Sequence, residues 1–347
     1  MRIAVFPPNW IGDAVMATPA LRALRQHYAG AHFVGVLKPY VAGVLEGGDW
    51  FDQILFTGGK KLAHSVPAVA WALRKEKIDR AVLFPNSFRS ALIARLGGCR
   101  QRTGYVRYGR GPLLTDRLEP IRDPRGRLLP SPVIDAYNLL AERAGCPPPT
   151  RRMELFTTPR DEAAADAVWR QAGLTDYAKV VCLNPGAAFG SAKHWPMEYF
   201  VTLARDLAQR QACGVLVLCG PAERDLARRI SASARHSAVH SLADAPLSIG
   251  LTKACIRRAD LLVTTDSGPR HFAAGFHRPV VTLFGPTHIA WTETYFPLAV
   301  HLQEKVDCGP CQLRACPLDH RCMTQLAPAK VYHAATTLLA RECHDVA

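Results

Sequence analysis

The chain has 347 residues, and its 43 Lys and Arg against 29 Asp and Glu give a formal net charge of +14. Apolar residues make up 48% of the sequence and charged residues 21%, which excludes a disordered, collagen-like or disulfide-dominated chain. No apolar run approaches the roughly 18 residues of a transmembrane helix, and no signal-peptide pattern opens the chain, so we expect a cytoplasmic protein of two domains. The excess positive charge indicates an anionic partner, either nucleic acid, a phosphorylated small molecule or an anionic membrane.

Short apolar runs alternate with amphipathic stretches of helical length, which predicts βα units and parallel sheets. The first series of predicted strands covers residues 2–6, 32–37 and 80–84, with helices over about 13–28, 64–75 and 87–97. The second series covers residues 180–183, 215–218, 261–263 and 280–284. We therefore predict an α/β protein with two doubly wound, Rossmann-like domains.

Three consecutive prolines, Pro147 to Pro149, forbid a helix and predict an extended linker. We place the domains at residues 1–150 and 151–328 on this basis. Residues 329–347 form a predicted C-terminal helix, which is a candidate to pack back on the first domain. Ligands of open α/β sheets bind at the carboxyl ends of the strands, so two facing domains predict a central cleft lined by strand-to-helix loops.

The loop after the first predicted strand runs from Pro7 to Asp13 and contains a single glycine, Gly12, where a dinucleotide fingerprint needs three. This disfavours NAD binding. Asp13 stands where a helix begins. It is therefore either a helix cap or first-turn acid, or a catalytic base beside a glycine that lets the backbone approach a bound group.

A second loop, residues 184–196, is rich in small residues and carries Lys193. Exposed amides and a point charge suit a phosphate, although an ordinary loop with a surface lysine explains the same residues. In a third loop, Asp266, Ser267 and Gly268 precede a predicted helix with His271 in its first turn. These residues either donate to an anion, or cap the helix and pack structurally.

Residues 89–127 hold ten arginines against three acidic residues, a local charge of +7 and half of the net charge. Arginine suits carboxylate and phosphate groups, whereas the plainer alternative is a solvated basic face.

Near the end of the chain, four thiols fall within fifteen residues: Cys308, Cys311, Cys316 and Cys322. They are candidates for a structural zinc site, for disulfide pairing or for unligated thiols, because the first pair has zinc-type spacing and the later gaps do not.

The chain resembles the ADP-heptose:lipopolysaccharide heptosyltransferases of glycosyltransferase family 9 in three segments taken together: the loop ending at Asp13, the stretch 185–196 and the segment from Asp266 to His271. Residues 84–91 and 102–105 also resemble this family, and its heptosyltransferase II branch is the most similar. The order and spacing of these segments make the resemblance specific, and it covers nearly the whole chain.

This resemblance implies a GT-B architecture, with an acceptor-binding first domain and a nucleotide-sugar-binding second domain. It implies inverting transfer of heptose from ADP-heptose to the inner core of lipopolysaccharide, at the cytosolic face of the inner membrane. No cofactor or catalytic metal is implied. Asp13 would be the general base, and Lys193 would contact the donor diphosphate. The remaining residues implied for the donor site are Asp266, Ser267, Gly268, His271 and Glu223.

For the acceptor, we expect contacts from Asn86, Arg89 and Arg107, since the positive charge is concentrated in the domain to which the resemblance assigns it. Two alternatives stay open. Heptosyltransferase I or another member of the family would differ in the acceptor and share the donor site. A non-enzymatic protein that binds anionic lipid or nucleic acid would also explain the charge, although the sequence contains no recognisable nucleic-acid-binding module, and we expect no nucleic acid as a partner.

Overall fold

The computed structural model of the chain describes residues 1–341. Two compact units divide these residues, and each carries one parallel sheet. The first unit comprises Met1–Phe156 with Ala290–Tyr295, and the second comprises Thr157–Ile289 with the chain from Phe296 onward.

The first unit contains six strands and six α-helices among its described residues. The strands are β1 (Arg2–Phe6), β2 (His32–Leu37), β3 (Gln53–Phe56), β4 (Arg80–Leu83), β5 (Gln101–Tyr105) and β6 (Asp116–Leu118). The helices are α1 (Ile11–Met16), α2 (Thr18–His27), α3 (Pro39–Leu45), α4 (Val66–Glu76), α5 (Phe88–Leu96) and α6 (Val133–Arg143).

The second unit contains six strands and seven α-helices within residues 157–341. Its strands are β7 (Val180–Asn184), β8 (Gly214–Val217), β9 (Val239–Ser241), β10 (Leu261–Thr265), β11 (Val280–Phe284) and β12 (Ala299–Gln303). Its helices are α7 (Pro159–Gln171), α8 (Met197–Gln211), α9 (Arg224–Ala234), α10 (Ile249–Arg258), α11 (Pro269–Gly275), α12 (Arg321–Thr324) and α13 (Pro328–Ala340).

Both sheets are parallel and doubly wound, as the sequence predicts. The strand order is β3-β2-β1-β4-β5-β6 in the first sheet and β12-β11-β10-β7-β8-β9 in the second. The apolar runs become central strands because a parallel sheet is covered on both faces: every residue of β7, β10 and β11 is buried. The order reverses between β1 and β4 and between β7 and β10, and loops meet at these switch points in α/β folds.

One helix predicted over 13–28 is in fact two, α1 and α2, separated at Ala17. Pro19 lies in the first turn of α2, where its missing N–H costs no helical hydrogen bond and favours a new helix start. Several strands were not predicted, among them β5, whose polar residues Gln101, Arg102 and Thr103 give no apolar run. The expected element boundaries otherwise hold within a few residues.

The units divide at 156/157, later than the predicted boundary at 150/151. Residues after the prolines still bind the first unit: the Glu154 carboxylate pairs with Arg22 at 3.1 Å, and the Glu154 amide donates to Thr18 Oγ1. The C-terminal helix α13 packs on α8 and against β10 and β11 of its own unit, because its apolar side, including Val331 and Leu338, is buried there. Packing of this segment on the first domain stays a prediction. Residues 342–347 of that predicted segment lie outside the described residues.

Across residues 1–341, we find no helix with the length and apolarity required to cross a membrane.

Candidate functional site

In the first unit, Asp13 lies in the first turn of α1, directly after the loop that follows the switch-point strand β1. The N-cap of α1 is Trp10, whose side chain makes no capping hydrogen bond. Asp13 is half-buried, and its carboxylate instead accepts a hydrogen bond from the hydroxyl of Tyr137 on α6. The predicted position at a helix start is thus correct, with the carboxylate satisfied by a side chain from another helix.

Burial raises the pKa of Asp13 from 3.8 to about 6, and the Tyr137 hydrogen bond offsets only part of that rise. A carboxylate in a poorly hydrated place loses solvation when it ionises, so it holds its proton more strongly. Burial and the neighbouring carboxylate likewise raise the pKa of Tyr137 well above its ordinary value, so the phenol remains a proton donor. Asp13 is therefore ionised near neutral pH and more basic than an ordinary aspartate.

In the second unit, Lys193 and Asp266 meet at the other switch point. Lys193 belongs to a short 3-10 turn after β7, and Asp266 directly follows β10. Lys193 Nζ donates to the Asp266 carboxylate at 2.5 Å and to its backbone carbonyl at 3.1 Å, and both residues are buried. An ammonium has three N–H groups, so one of them remains after these two bonds.

Two more side chains complete the surroundings of the Asp266 carboxylate. Thr287 Oγ1 donates to it at 2.7 Å, and Arg270 Nη1 lies 3.4 Å from its other oxygen. Burial alone would raise the pKa of Asp266, but Lys193 and Arg270 outweigh it and hold that pKa below the usual range. Asp266 is accordingly a permanent anion that fixes Lys193 and Arg270 in place.

His271 lies on the first turn of α11 and is almost fully buried. Burial and the nearby Arg270 push its pKa well below the ordinary value, so the imidazole is neutral. Within residues 1–341, its Nδ1 has no hydrogen-bond partner. A buried polar atom without a partner is costly, which marks this position for a ligand group.

The helix start itself differs from the predicted capping. The N-cap of α11 is Gly268, and neither Asp266 nor Ser267 caps the helix with its side chain. Ser267 Oγ instead accepts a hydrogen bond from Asn184 Nδ2 at 2.9 Å, which ties the β10 loop to the end of β7. Among the described acceptors, none receives the backbone amides of Ser267 or Gly268. These two N–H groups are available to an anion.

Glu223 reaches the same loop cluster from the end of β8. Its carboxylate accepts from the Gly220 amide at 2.8 Å and lies against Gly186, where a Cβ would require the Glu223 side chain to move. Gly186 O in turn accepts from Thr265 Oγ1 at 2.6 Å. The structure therefore brings together the predicted donor residues Lys193, Asp266, Ser267, Gly268, His271 and Glu223 in one unit.

The three predicted acceptor residues lie in the first unit but differ in their surroundings. Asn86 follows β4 at the switch point, and its Oδ1 accepts from Arg110 at 3.1 Å. Arg89 is exposed at the start of α5 and donates to the His64 carbonyl at 3.1 Å. Arg107 lies over the ring of Tyr108, with its guanidinium carbon 4.9 Å from the centroid.

Arg110 is the residue that sequence reasoning treated only as one of ten arginines. It is fully buried and donates to the carbonyls of Tyr105 and Pro85 as well as to Asn86. Burial, with a further contribution from Arg107, lowers the pKa of Arg110 to about 10. Arg102 is also buried and donates to the Leu113 and Cys99 carbonyls. These two arginines hold loops together, and neither belongs to a solvated basic face.

Of the three alternatives for the four C-terminal cysteines, the structure gives no support to the zinc site. Cys308 and Cys311 are exposed and Cys322 is buried, and no group of three or more Cys, His, Asp or Glu in residues 1–341 is arranged to hold a metal ion. All four are free thiols in the structure.

The segment nevertheless supports the donor loop. The Ala192 amide donates to Arg314 O at 3.0 Å, and His320 Nε2 lies 2.8 Å from Ala192 O. The segment passes so close to Gly190 that a Cβ at this position would collide with the Arg314 carbonyl oxygen, so glycine is required there. Both hydrogen bonds are made by Ala192, the residue before Lys193, so the segment holds the loop that carries the lysine.

Sequence reasoning missed Tyr137 and Thr287, because neither stands in a recognisable motif. Arg270 was visible within the Asp266–His271 segment, where a charged residue four positions after an aspartate can pair with it across a helical turn.

Known proteins resemble this chain in sequence and in fold. The family model described as "Glycosyltransferase family 9 (heptosyltransferase)" matches residues 66–321. Lipooligosaccharide heptosyltransferase 2 of Campylobacter jejuni is 29% identical over 98% of both chains. Lipopolysaccharide heptosyltransferase 2 of Escherichia coli K12 is 28% identical over 83% of both. Two solved structures share the fold. The structure of E. coli ADP-heptose LPS heptosyltransferase II superposes with a TM-score of 0.80, at 24% identity over 98% of both chains. A family 9 glycosyltransferase from Veillonella parvula superposes with a TM-score of 0.82, at 22% identity over 97% of both chains.

Proposed function

The chain belongs to glycosyltransferase family 9, and from that premise we propose that it transfers L-glycero-D-manno-heptose from ADP-heptose to the inner core of lipopolysaccharide. The chain is a glycosyltransferase with the GT-B type of fold. Relatives named heptosyltransferase 2 match it over most of their length, which supports the heptosyltransferase II branch. The acceptor binds the first unit and the nucleotide sugar binds the second.

One observation carries the donor side of this proposal. The fold brings Lys193 to Asp266 across 73 positions of the sequence, beside two available amides and a buried imidazole nitrogen that lacks a partner. Such a set of donors at a sheet switch point suits a diphosphate. We therefore assign the ADP diphosphate to Lys193, Ser267 and Gly268, with Asp266 holding Lys193 in position. Glu223 binds the nucleoside, and His271 lines the donor site.

Asp13 is the general base. It accepts the proton of an acceptor sugar hydroxyl while that oxygen forms a bond to the anomeric carbon and the bond to ADP breaks, which inverts the configuration. A base works best when its pKa lies near the working pH, and a pKa of about 6 satisfies this while leaving the carboxylate ionised at neutral pH. Tyr137 orients the carboxylate.

The negative charge that develops on the departing diphosphate is stabilised by the chain itself, through the Lys193 ammonium and the Ser267 and Gly268 amides. We propose that the transfer requires no cofactor and no metal ion. On the acceptor side, Arg89 and Arg107 bind phosphate or acidic sugar groups, and Asn86 binds hydroxyls beside them. Because this acceptor is anchored in lipid, the enzyme works at the cytosolic face of the inner membrane.

The decisive experiment is incubation of the purified protein with ADP-heptose and a panel of truncated lipopolysaccharide acceptors, followed by mass spectrometry. We expect a gain of one heptose only on acceptors that already carry the first inner-core heptose. Transfer to the heptose-free acceptor would identify a heptosyltransferase I instead. No transfer to any acceptor, with ADP still bound, would refute the proposed donor–acceptor pair.

A further inference from the structure

The outward sides of α4 and α5 expose large apolar residues. On α5, Phe88 and Leu96 are 50% and 48% exposed, whereas Ala91, Ile93 and Ala94 of the opposite side are buried. Leu96 follows Phe88 by eight positions, so the two lie on the same side of the helix. An amphipathic helix at a protein surface normally turns polar residues outward, and α5 departs from that rule.

The neighbouring elements continue this exposure. Trp71 on α4 is 63% exposed, and Leu62, on a 3-10 turn just before α4, is 85% exposed. Helices α4 and α5 pack against each other, and the Arg89 side chain donates to the carbonyl of His64 in that turn. The exposed apolar residues therefore lie on adjacent elements of the first unit. Apolar exposure shared by neighbouring elements is typical of an interaction site.

Basic residues surround these apolar side chains. Lys75 Nζ lies 3.4 Å from the centroid of the Trp71 ring, and Arg74 and Arg95 are exposed on the same two helices. The sequence contains no Asp or Glu in residues 57–75 or in residues 80–115, and the two acids between these ranges, Glu76 and Asp79, are paired with Arg2 and Arg100. We call the surface formed by Leu62, Trp71, Lys75, Phe88, Arg95 and Leu96 the α4–α5 face.

We propose that the α4–α5 face docks the enzyme on the surface of a bilayer that contains anionic lipids. This inference rests on the proposed function, since a lipid-anchored acceptor requires an enzyme that reaches the membrane. Tryptophan, phenylalanine and leucine enter the headgroup boundary, while lysine and arginine remain beside the lipid phosphates. Apolar side chains alone would suit many partners, whereas apolar and basic side chains without acids favour an anionic bilayer.

Vesicle binding tests the proposal with the full chain. We expect the protein to cosediment with vesicles of phosphatidylcholine and phosphatidylglycerol, to bind phosphatidylcholine alone much more weakly, and to dissociate as salt increases. The double variant Trp71→Ser/Leu96→Ser should lose vesicle affinity by at least about tenfold, because it removes two of the apolar side chains that would enter the bilayer. All these positions are exposed, so folding should be unaffected, which circular dichroism checks.

Two matched controls keep the result specific. Leu139→Ser removes an exposed leucine from α6 of the same unit, and Arg229→Glu reverses an exposed arginine on α9 of the other unit. Both should bind anionic vesicles within about twofold of the parent chain. Equal loss in the double variant and in the Leu139 control would overturn the assignment to this face. Vesicle binding that is unchanged in the double variant would overturn it as well, and would point to a protein partner for these residues.

A water-soluble, deacylated acceptor separates this proposal from the proposed function. The double variant should transfer heptose to that acceptor at the parent rate and lose rate only with the acceptor embedded in vesicles. Absence of transfer by the parent chain to either acceptor would refute the proposed function, whereas equal rates of parent and variant on vesicles would refute the docking face alone.

Discussion

Asp13 and Asp266 stand at the switch points of two sheets with the same topology, yet their surroundings prepare them for different tasks. Asp13 has a phenol as its partner, and burial raises its pKa to about 6. Asp266 faces Lys193 and Arg270, which outweigh its burial and hold its pKa below the usual range. The comparison shows that the fold selects the position of a carboxylate, whereas the charge of its neighbours decides whether it exchanges a proton or serves as a fixed counter-ion.

The strongest test of this difference is Asp13→Asn. Asparagine keeps the size of the side chain and removes the base, so kcat should fall by at least about 100-fold, the usual contribution of a positioned base. ADP affinity and the thermal midpoint should stay close to those of the parent chain. A transfer assay beside calorimetry measures all three, and near-normal kcat with reduced stability would show that Asp13 only supports its helix.

Lys193→Met tests the other aspartate. The variant loses a charge-assisted donor to the diphosphate, and ADP affinity should weaken by about 1.5 to 3 kcal/mol. Because the buried Asp266 also loses a partner, the free energy of unfolding should drop by a similar amount. Titration calorimetry and denaturant unfolding measure the two effects. Lys305→Met, at an exposed lysine of the same unit, is the matched control and should change neither. Unchanged ADP affinity in Lys193→Met would remove Lys193 from the donor site.

The pKa values of the two aspartates predict that catalysis, which needs Asp13 ionised, depends on pH near 6, whereas the donor site around Asp266 does not. Protonation of Asp13 below pH 6 removes the base, so kcat/KM should fall about tenfold per pH unit on that acid limb. Asp266 remains ionised there, and affinity for the intact ADP-sugar, whose phosphates carry no proton that titrates near pH 6, should stay nearly constant between pH 7 and roughly pH 5. A rate profile and titrations with a non-transferable ADP-sugar analogue over this range check both statements. A flat profile around pH 6 would contradict the role of Asp13.

A smaller effect is expected from the acceptor arginines. Replacing Arg89 and Arg107 by Ala should raise the acceptor KM about three- to tenfold, because cations in contact with solvent contribute modestly to binding, and should leave ADP affinity alone. Arg117→Ala, an exposed arginine from the same segment, provides the control. If ADP affinity falls with acceptor affinity in the double variant, loss of folding is the better explanation.

The smallest effect is expected from removal of metal ions. With the diphosphate held by Lys193 and backbone amides, EDTA treatment should change the transfer rate by less than about twofold. Rates are measured before and after dialysis against EDTA, with the thermal midpoint as a control for folding. A rate that collapses in EDTA and returns with Mg²⁺, at a constant midpoint, would refute the metal-independent proposal.

Much of this arrangement was accessible from the sequence, for identifiable reasons. Buried parallel strands such as β7 and β10 are continuous apolar runs, and the residues that follow them, Lys193 and Asp266 among them, must then lie in loops at the carboxyl ends of the strands. A zinc site was one of three alternatives for the C-terminal cysteines, and sequence could not choose among them, because spacing along the chain does not give the arrangement of the thiols in space. Arg110 looked like any other surface arginine, since only the packing around it shows that its guanidinium is enclosed by carbonyls.

The sequence by itself determined the two doubly wound sheets, the loops at their switch points and the resemblance to family 9. Only the tertiary structure decided that Lys193 pairs with Asp266, that Tyr137 holds Asp13, and that α5 turns Phe88 outward. The physical reason is range: strand and helix patterns arise from neighbours a few positions apart, whereas ion pairs, shifted pKa values and surface exposure depend on segments that meet only after the chain has folded.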